Sequence, residues 1–376
     1  MSPTLTVYLI VFLTGVATES VLTKMNISHL KDHGHTVPDL FKGYIDGNKL
    51  RTITDYTVQN ERFGLFTSWI GSGLFLFLLL SGLLPWFVTS IQGLGLGALA
   101  TGMVFFATLA VIQGVFSLPF SYYKTFVIEQ RYGFNTATFR TWVSDIVKAV
   151  VVGAIIGGIL LAVILLLVEH GGSLWWLWAW LVFFGFQLLL LVLFPTLIAP
   201  WFNKFLPLED EDLEEKVRRI MRQGGLAVEG VFKMDAGKRS RHTNAYFTGV
   251  GRAKRIVLFD TLLTSHSHDE IVAILAHEVG HWKRRHLHKH LLFVSLASLL
   301  LFFAASRLLK WPTMYQTFGF DHALSYVGLF LVGVLWDVVG QFLRPIGSAL
   351  SRQFEKEADA YAAEVLTHTA DLKRAL

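Results

Sequence analysis

Residues Val147–Val168 read VKAVVVGAIIGGILLAVILLLV, with Lys148 as the single charge. A helix needs about 20 apolar residues to cross a bilayer core, and this run supplies them. A soluble helix would alternate an apolar stripe with a polar face; this one offers no polar face.

Six further stretches have the same character. Upstream lie Leu5–Thr23, Phe63–Val88 and Leu94–Leu118; downstream lie Leu174–Ile198, Leu287–Leu308 and Leu324–Phe342. The first could be a signal peptide, but Met1–Thr6 carries no Lys or Arg, so a retained span is expected. Composition agrees: 53% of residues are apolar and only 16% charged, against about 25% charged in soluble domains. The expected fold is therefore mainly α, a polytopic membrane protein with seven transmembrane helices.

The net charge of +5 could mean nucleic acid, but the Lys and Arg flank the apolar spans rather than forming a basic groove. Nucleic acid is not an expected partner; the lipid bilayer is. With no cysteine in the chain, disulfides, thiol catalysis and Cys-ligated metal are excluded. Six Lys/Arg lie in 24–62, four in 121–148, and many in 203–289, whereas the alternate loops 89–93 and 169–173 have none and 305–323 has two. Strict alternation places the N-terminus outside, with the 203–289 segment and the C-terminus in the cytoplasm.

The expected organisation is 1–202 as spans one to five, 203–289 as a cytoplasmic region, 290–346 as spans six and seven, and 347–376 as a C-terminal helix. Within 203–289, an amphipathic helix follows Asp210 and ends at Gly224-Gly225. Strand-like runs follow at Val228–Met234, Ala245–Thr248 and Arg255–Asp260, the last two separated by a turn at Gly249-Val250-Gly251. Ser267 and Glu270 have capping-box spacing. A helix should start there, carry Ile271, Ile274, Leu275 and Val279, and run on into the sixth span.

That helix contains His277-Glu278-Val279-Gly280-His281. Histidines at i and i+4 share one helix face and can reach one zinc ion. Glu278, next to the first ligand, can take a proton from an activated water without ligating the metal. Chance gives this pattern in about one chain in a hundred of this length, so the motif alone does not decide. Zinc hydrolases commonly use three protein ligands. His286, His288 and His290 sit too close along the same helix to fold back and read as interfacial polar residues. The better candidate lies in SRQFEKEADAY at 351–361: Glu355 as third ligand, with Asp359 one turn on as hydrogen-bond partner of a ligand histidine. Glu357 points to another face and is the weaker choice.

HEVGH followed by SRQFEKEADAYA after two spans resembles the integral-membrane zinc proteases of the CAAX prenyl endopeptidase type I family. Val127–Thr138, which runs VIEQRYGFNTAT, is similar to that family's cytoplasmic loop motif, and Arg241–Gly249 resembles its substrate-strand motif. The resemblance covers nearly the whole chain. It implies a gluzincin-type zinc protease domain, cytoplasmic and containing a small β-sheet, and a ring of helices around an internal chamber. It also implies one Zn(2+) per chain held by His277, His281 and Glu355, with Glu278 as general base. Asp359 matches an aspartate beside the site, assigned either a proton-donor or an outer-shell role. Asn244 would hydrogen-bond the backbone of a peptide substrate lying extended along Ala245, Tyr246 and Phe247. The family continues past the point matched by Leu376 with a His-Pro-Pro segment. A histidine there is implied to assist at the oxyanion, and a missing oxyanion donor costs about 100- to 1,000-fold in rate.

The expected activity is hydrolysis of peptide bonds near the C-terminus of CAAX-type, possibly prenylated, substrates. The alternatives are a membrane-protein quality-control protease and a metal-binding transporter or channel. The transporter predicts paired halves with broken helices, which the sequence lacks, and has no use for Glu278. Asp337 and Gln341 inside the seventh span line a cavity or pair helices. Gly93–Gly97, a GxGxG run, reads as helix packing or a loop rather than a nucleotide site.

Overall fold

A computed structural model describes residues 2–39, 42–44, 46–248 and 254–366. Among them, seven helices are long and apolar enough to cross a membrane, the number expected. α1 (Pro3–His33) and α2 (Gly47–Leu80) begin at Ser2 and Asp46, whose side chains accept from the N–H of Leu5 and Asn48. The expected second span breaks at its end. Gly82 takes φ +79, and a separate ten-residue helix, α3 (Leu83–Gln92), follows. The apolar run through Val88 hides the boundary, which rests on one left-handed glycine.

α4 (Ala98–Tyr123) widens into a π-helical turn over Lys124–Glu129. α5 (Phe139–His170) starts at Thr138, and α6 (Trp175–Leu193) passes through a second wide turn into α7 (Ala199–Phe202). α5 buries only Leu165; Val150, Ile155 and Ile159 are exposed. Such a helix is stable with lipid as the solvent of its outer face. Where helices do meet, aromatic rings fill the space: Phe105, fully buried, touches Phe87, Phe106, Tyr326 and Phe330.

The polar segment forms a mixed four-stranded sheet, β1 (Phe205–Pro207), β2 (Val228–Met234), β3 (Ala245–Thr248) and β4 (Lys254–Phe259), in the order β1-β2-β4-β3. β1 is an addition to the expected strands. Among the described residues β3 pairs only with β4, antiparallel, with Ala245 opposite Leu258, and forms an edge. The turn at 249–251 lies outside the described residues. α8 (Glu211–Gln223) packs Leu213, Val217, Ile220 and Met221 against the sheet, a stripe at helical spacing. After α9 (Asp260–Ser265), α10 (His268–Lys283) opens with the expected capping box, and Ile271, Leu275 and Val279 enter the same core.

α10 does not run on into the sixth span. Arg285 adopts φ 56, and α11 (His286–Leu308) starts on a new course. Left-handed backbone costs an ordinary residue about 1–2 kcal/mol, so no turn residue in the sequence announced this break. α12 (Pro312–Thr317) leads to α13 (Ser325–Val365), which continues unbroken through Pro345. The expected seventh span and C-terminal helix are thus one element of 41 residues, about 60 Å long at 1.5 Å per residue. Gln341 rests its amide on Gly15 of α1, a helix–helix contact; Asp337, on the same helix, is exposed.

Candidate metal centre

Two helices build the centre. α10 brings His277, Glu278 and His281; α13 brings Glu355 and Asp359. They approach closely because Gly280 has no side chain: a Cβ there would sit 2.8 Å from the Cα and carbonyl oxygen of Ala358. Ala358 and Ala362, both fully buried, keep the facing side of α13 equally slim.

This contact sets Glu355 opposite the histidine pair. Its Oε2 lies 3.3 Å from His277 Nε2 and 3.6 Å from His281 Nε2, and the two nitrogens are 3.1 Å apart. Tetrahedral bonds of 2.0–2.1 Å give ligand atoms about 3.3 Å apart, so the trio has the spacing of three corners around one ion. The donor chemistry agrees. His277 Nδ1 meets Asp359 Oδ1 at 2.7 Å; with its proton on Nδ1, Nε2 is left as a lone pair facing the site. Burial, then the neighbouring His277, push the His281 imidazole below its ordinary pKa and favour the neutral, ligating form. Two imidazoles and a carboxylate, with the His277 lone pair turned inward, fit a divalent transition metal.

Glu278 is half-buried beside this trio, and burial raises its pKa, with Glu355 adding and His277 opposing. It stands next to the ligand set without belonging to it.

His286 departs from expectation. It is buried, not interfacial, because the turn at Arg285 folds it back: its Nδ1 lies 2.9 Å from His281 Nδ1. Its Nε2 lies 3.0 Å from Glu357 Oε2, and its ring stacks on Phe354 at 4.2 Å. Glu357 also receives Gln353 Nε2 at 3.0 Å and Lys289 Nζ at 3.3 Å. Local spacing reads His286 as interfacial and Glu357 as the weaker ligand candidate, and does not reveal the contact between them. A straight helix through 285 would carry His286 away, and only the distant Glu357 marks where it goes.

Edge strand β3 flanks α10. The carbonyl of Asn244 accepts Phe259 N–H at 3.1 Å, and its Oδ1 accepts Ala245 N–H at 2.8 Å. In an antiparallel ladder, alternate residues face the partner strand. Asn244 and Tyr246 therefore turn their main chain to β4, and Ala245 and Phe247 turn theirs to the open edge. The Tyr246 side chain packs with Met234 and Phe259 in a second cluster. The segment entering β3 is tied to the 129–135 loop. Arg241 N–H donates to Phe134 O at 2.9 Å, Asn135 bridges Ser240, and the Phe134 ring stacks on His242. Arg239 forks onto Asp145 of α5 at 2.6 and 2.9 Å and donates to Asn203 Oδ1 at 2.7 Å, bolting this segment to the membrane helices.

Seven apolar helices, a His277, His281 and Glu355 trio spaced as metal ligands beside Glu278, and a strand at the sheet edge are what a membrane-embedded metallopeptidase would need. Comparison with known proteins gives its family. Residues 207–376 match Peptidase family M48, and residues 26–204 match the CAAX prenyl protease N-terminal region of five membrane helices. The CAAX prenyl protease 1 homolog of Arabidopsis thaliana is 33% identical over 91% of this chain and 82% of its own length. CAAX prenyl protease 1 of Saccharomyces cerevisiae is 35% identical over 74% of this chain and 64% of its own length. The crystal structure of S. mikatae Ste24p superposes with TM-score 0.92 at 28% identity, covering 100% of this chain and 91% of that one. The chain belongs to the M48 CAAX prenyl protease family: it is a multi-pass membrane metallopeptidase whose substrates are peptides or proteins.

Proposed function

We propose that this chain is a zinc endopeptidase that cuts peptides near the C-terminus of CAAX-type substrates at the cytoplasmic face of its membrane. The observation that carries the reading is the grouping of His277, His281 and Glu355 within 4.8 Å, with Glu278 alongside. One zinc per chain would be held by those three residues. When bound, zinc lowers the pKa of a water and polarises a carbonyl. Glu278 takes the proton from the attacking water and hands it to the leaving amine. Its half-buried position, which raises its pKa, suits a group that must both accept and release a proton. Asp359 holds His277 in the ligating tautomer and so acts through the ligand.

A substrate would lie as an added strand on β3, its main chain paired with Ala245 and Phe247. Tyr246, between them, pairs its main chain with β4 and would hold the strand in register for the substrate. Asn244, whose Oδ1 already meets an N–H on the β3 edge, is placed to exchange that bond for one from the substrate. Main-chain recognition makes sequence preference loose. The names of the relatives supply the CAAX substrate class, and the loop charges supply the orientation, with the N-terminus outside and the site in the cytoplasm.

The test uses purified protein and its Glu278→Gln variant in detergent. Zinc per chain is measured, and cleavage of a C-terminal reporter peptide is followed with and without a farnesyl group. The reading expects about one zinc in both proteins and cleavage by the wild type alone. Cleavage restricted to the farnesylated peptide supports the substrate class; equal cleavage of both removes it. Protein without zinc refutes the site.

A further inference from the structure

We infer that His286 and Glu357 are positioning residues that hold His281 in its metal-binding tautomer, as Asp359 does for His277. The inference rests on the metal-site reading above.

The two ligand histidines have different surroundings. His277 reaches a carboxylate directly, through the 2.7 Å contact of Nδ1 with Asp359. His281 has no carboxylate at its Nδ1; it has the buried imidazole of His286, 2.9 Å away. Two neutral imidazoles meeting through Nδ1 share one proton, so one donates and the other accepts. The contact alone permits either assignment.

Glu357 breaks the tie. Lys289 and the amide N–H of Gln353 both face its carboxyl group, which makes it an acceptor toward His286. Nε2–H of His286 then donates to Oε2 of Glu357, 3.0 Å away. A neutral His286 with its proton on Nε2 leaves Nδ1 as acceptor. His281 must donate from Nδ1, and its Nε2 keeps the lone pair that faces His277 Nε2 and Glu355. The opposite assignment would put a proton on His281 Nε2, inside the ligand trio. Phe354, stacked on the His286 ring at 11° between planes, fixes the ring so that both nitrogens stay aligned. Ligand Glu355 and both carboxylate anchors thus come from one stretch of α13, and the left-handed residue Arg285 is what returns His286 to meet them.

Outer-shell partners of this kind change metal affinity by about 10- to 100-fold. The test measures zinc dissociation constants by competition with a chromophoric chelator for wild type, His286→Phe, Glu357→Ala and His277→Ala. Phenylalanine keeps the stack on Phe354 and removes both hydrogen bonds. Glu357→Ala leaves His286 in place and removes a partly exposed side chain, so it bears on the relay even if the first variant disturbs packing. Thermal midpoints in excess chelator show whether the metal-free fold is intact, and the absorption bands of the cobalt-substituted proteins report ligand geometry.

The expected result is affinity lowered about 10- to 100-fold in Glu357→Ala and at least as much in His286→Phe. The cobalt bands should shift, and the chelator midpoint of Glu357→Ala should stay unchanged. Wild-type affinity in Glu357→Ala overturns the relay. His277→Ala separates the two ideas: if it binds zinc as the wild type does, the metal site itself is misassigned; if it does not while Glu357→Ala does, only the relay fails.

Discussion

Replacing Gly280 by alanine adds one methyl group to the fold, placed where the two halves of the metal centre meet. The new Cβ would lie 2.8 Å from both Cα and O of Ala358, and 3.2 Å from its carbonyl carbon. These are backbone atoms of α13, so no rotamer change can relieve the contact. Restoring an ordinary 3.4 Å separation needs a displacement of about 0.6 Å. Glu355 precedes Ala358 by less than one turn and moves with it. Metal–ligand distances tolerate only about 0.2 Å. Overpacking costs about 1–3 kcal/mol, and alanine returns about 1 kcal/mol through helix propensity. Global stability should therefore fall only slightly, while the site suffers more. Zinc affinity and kcat/KM are each expected to drop about 10- to 100-fold, as for misplacements of this size. The assay is chelator competition with peptide kinetics, run beside Gly340→Ala in α13, where the added methyl meets nothing within 4 Å. If Gly280→Ala matches the wild type in both affinity and rate, the close approach does not set the position of Glu355, and the reasoning fails.

Glu278→Gln should keep its zinc and lose about 100- to 10,000-fold in kcat, measured with the reporter peptide. Asp359→Ala should lower zinc affinity about 10- to 100-fold with little change in KM, read from chelator competition and saturation kinetics. Stripping the metal should lower the thermal midpoint of the wild type: a ligand at 1,000 times its dissociation constant adds about 4 kcal/mol. His277→Ala should show no such response to chelator. Arg239→Lys keeps the charge but loses the fork onto Asp145; urea unfolding should show a loss of about 2 kcal/mol.

Some of this was legible in the sequence because its cause is local. Val147–Val168 announces a membrane helix by length alone, and Ser267 with Glu270 announces a helix start through bonds spanning three residues. His277 and His281 share a face because 3.6 residues make a turn. Glu355 and Asp359 fell to the same spacing argument, once a third ligand was required. The failures are equally specific. Gly82 ends a span inside an apolar run that hydropathy cannot divide. Arg285 adopts a backbone conformation its side chain does not favour, so the break between α10 and α11 had no local signal. From that one turn follows the difference between the expected and observed places of His286, whereas Glu357, on another face of α13, stays outside the trio as expected. The strand order is also hidden, since β2 pairs directly and in parallel with β4 although β3 lies between them in sequence, and only tertiary contact shows that β3 is left at the edge.

Pro345 sharpens the question of how the site at the far end of a long helix is held rigid. A proline inside a helix removes one backbone hydrogen bond and bends or weakens the turn before it. Yet α13 runs through it and delivers Glu355, Glu357 and Asp359 ten or more residues later. The rigidity therefore has to come from beyond the proline, and the contacts are there. Gly280 clasps Ala358, Asp359 ties to His277, and Glu357 ties through His286 to His281. Tyr361 and Ala362 sink into the core shared with the sheet. The far end of α13 is thus fixed to α10 rather than to its own membrane half. On this argument, Pro345→Ala should stiffen α13 without moving the ligands. Zinc affinity should stay within about twofold of wild type, whereas a large change would mean that Pro345 helps set the position of Glu355.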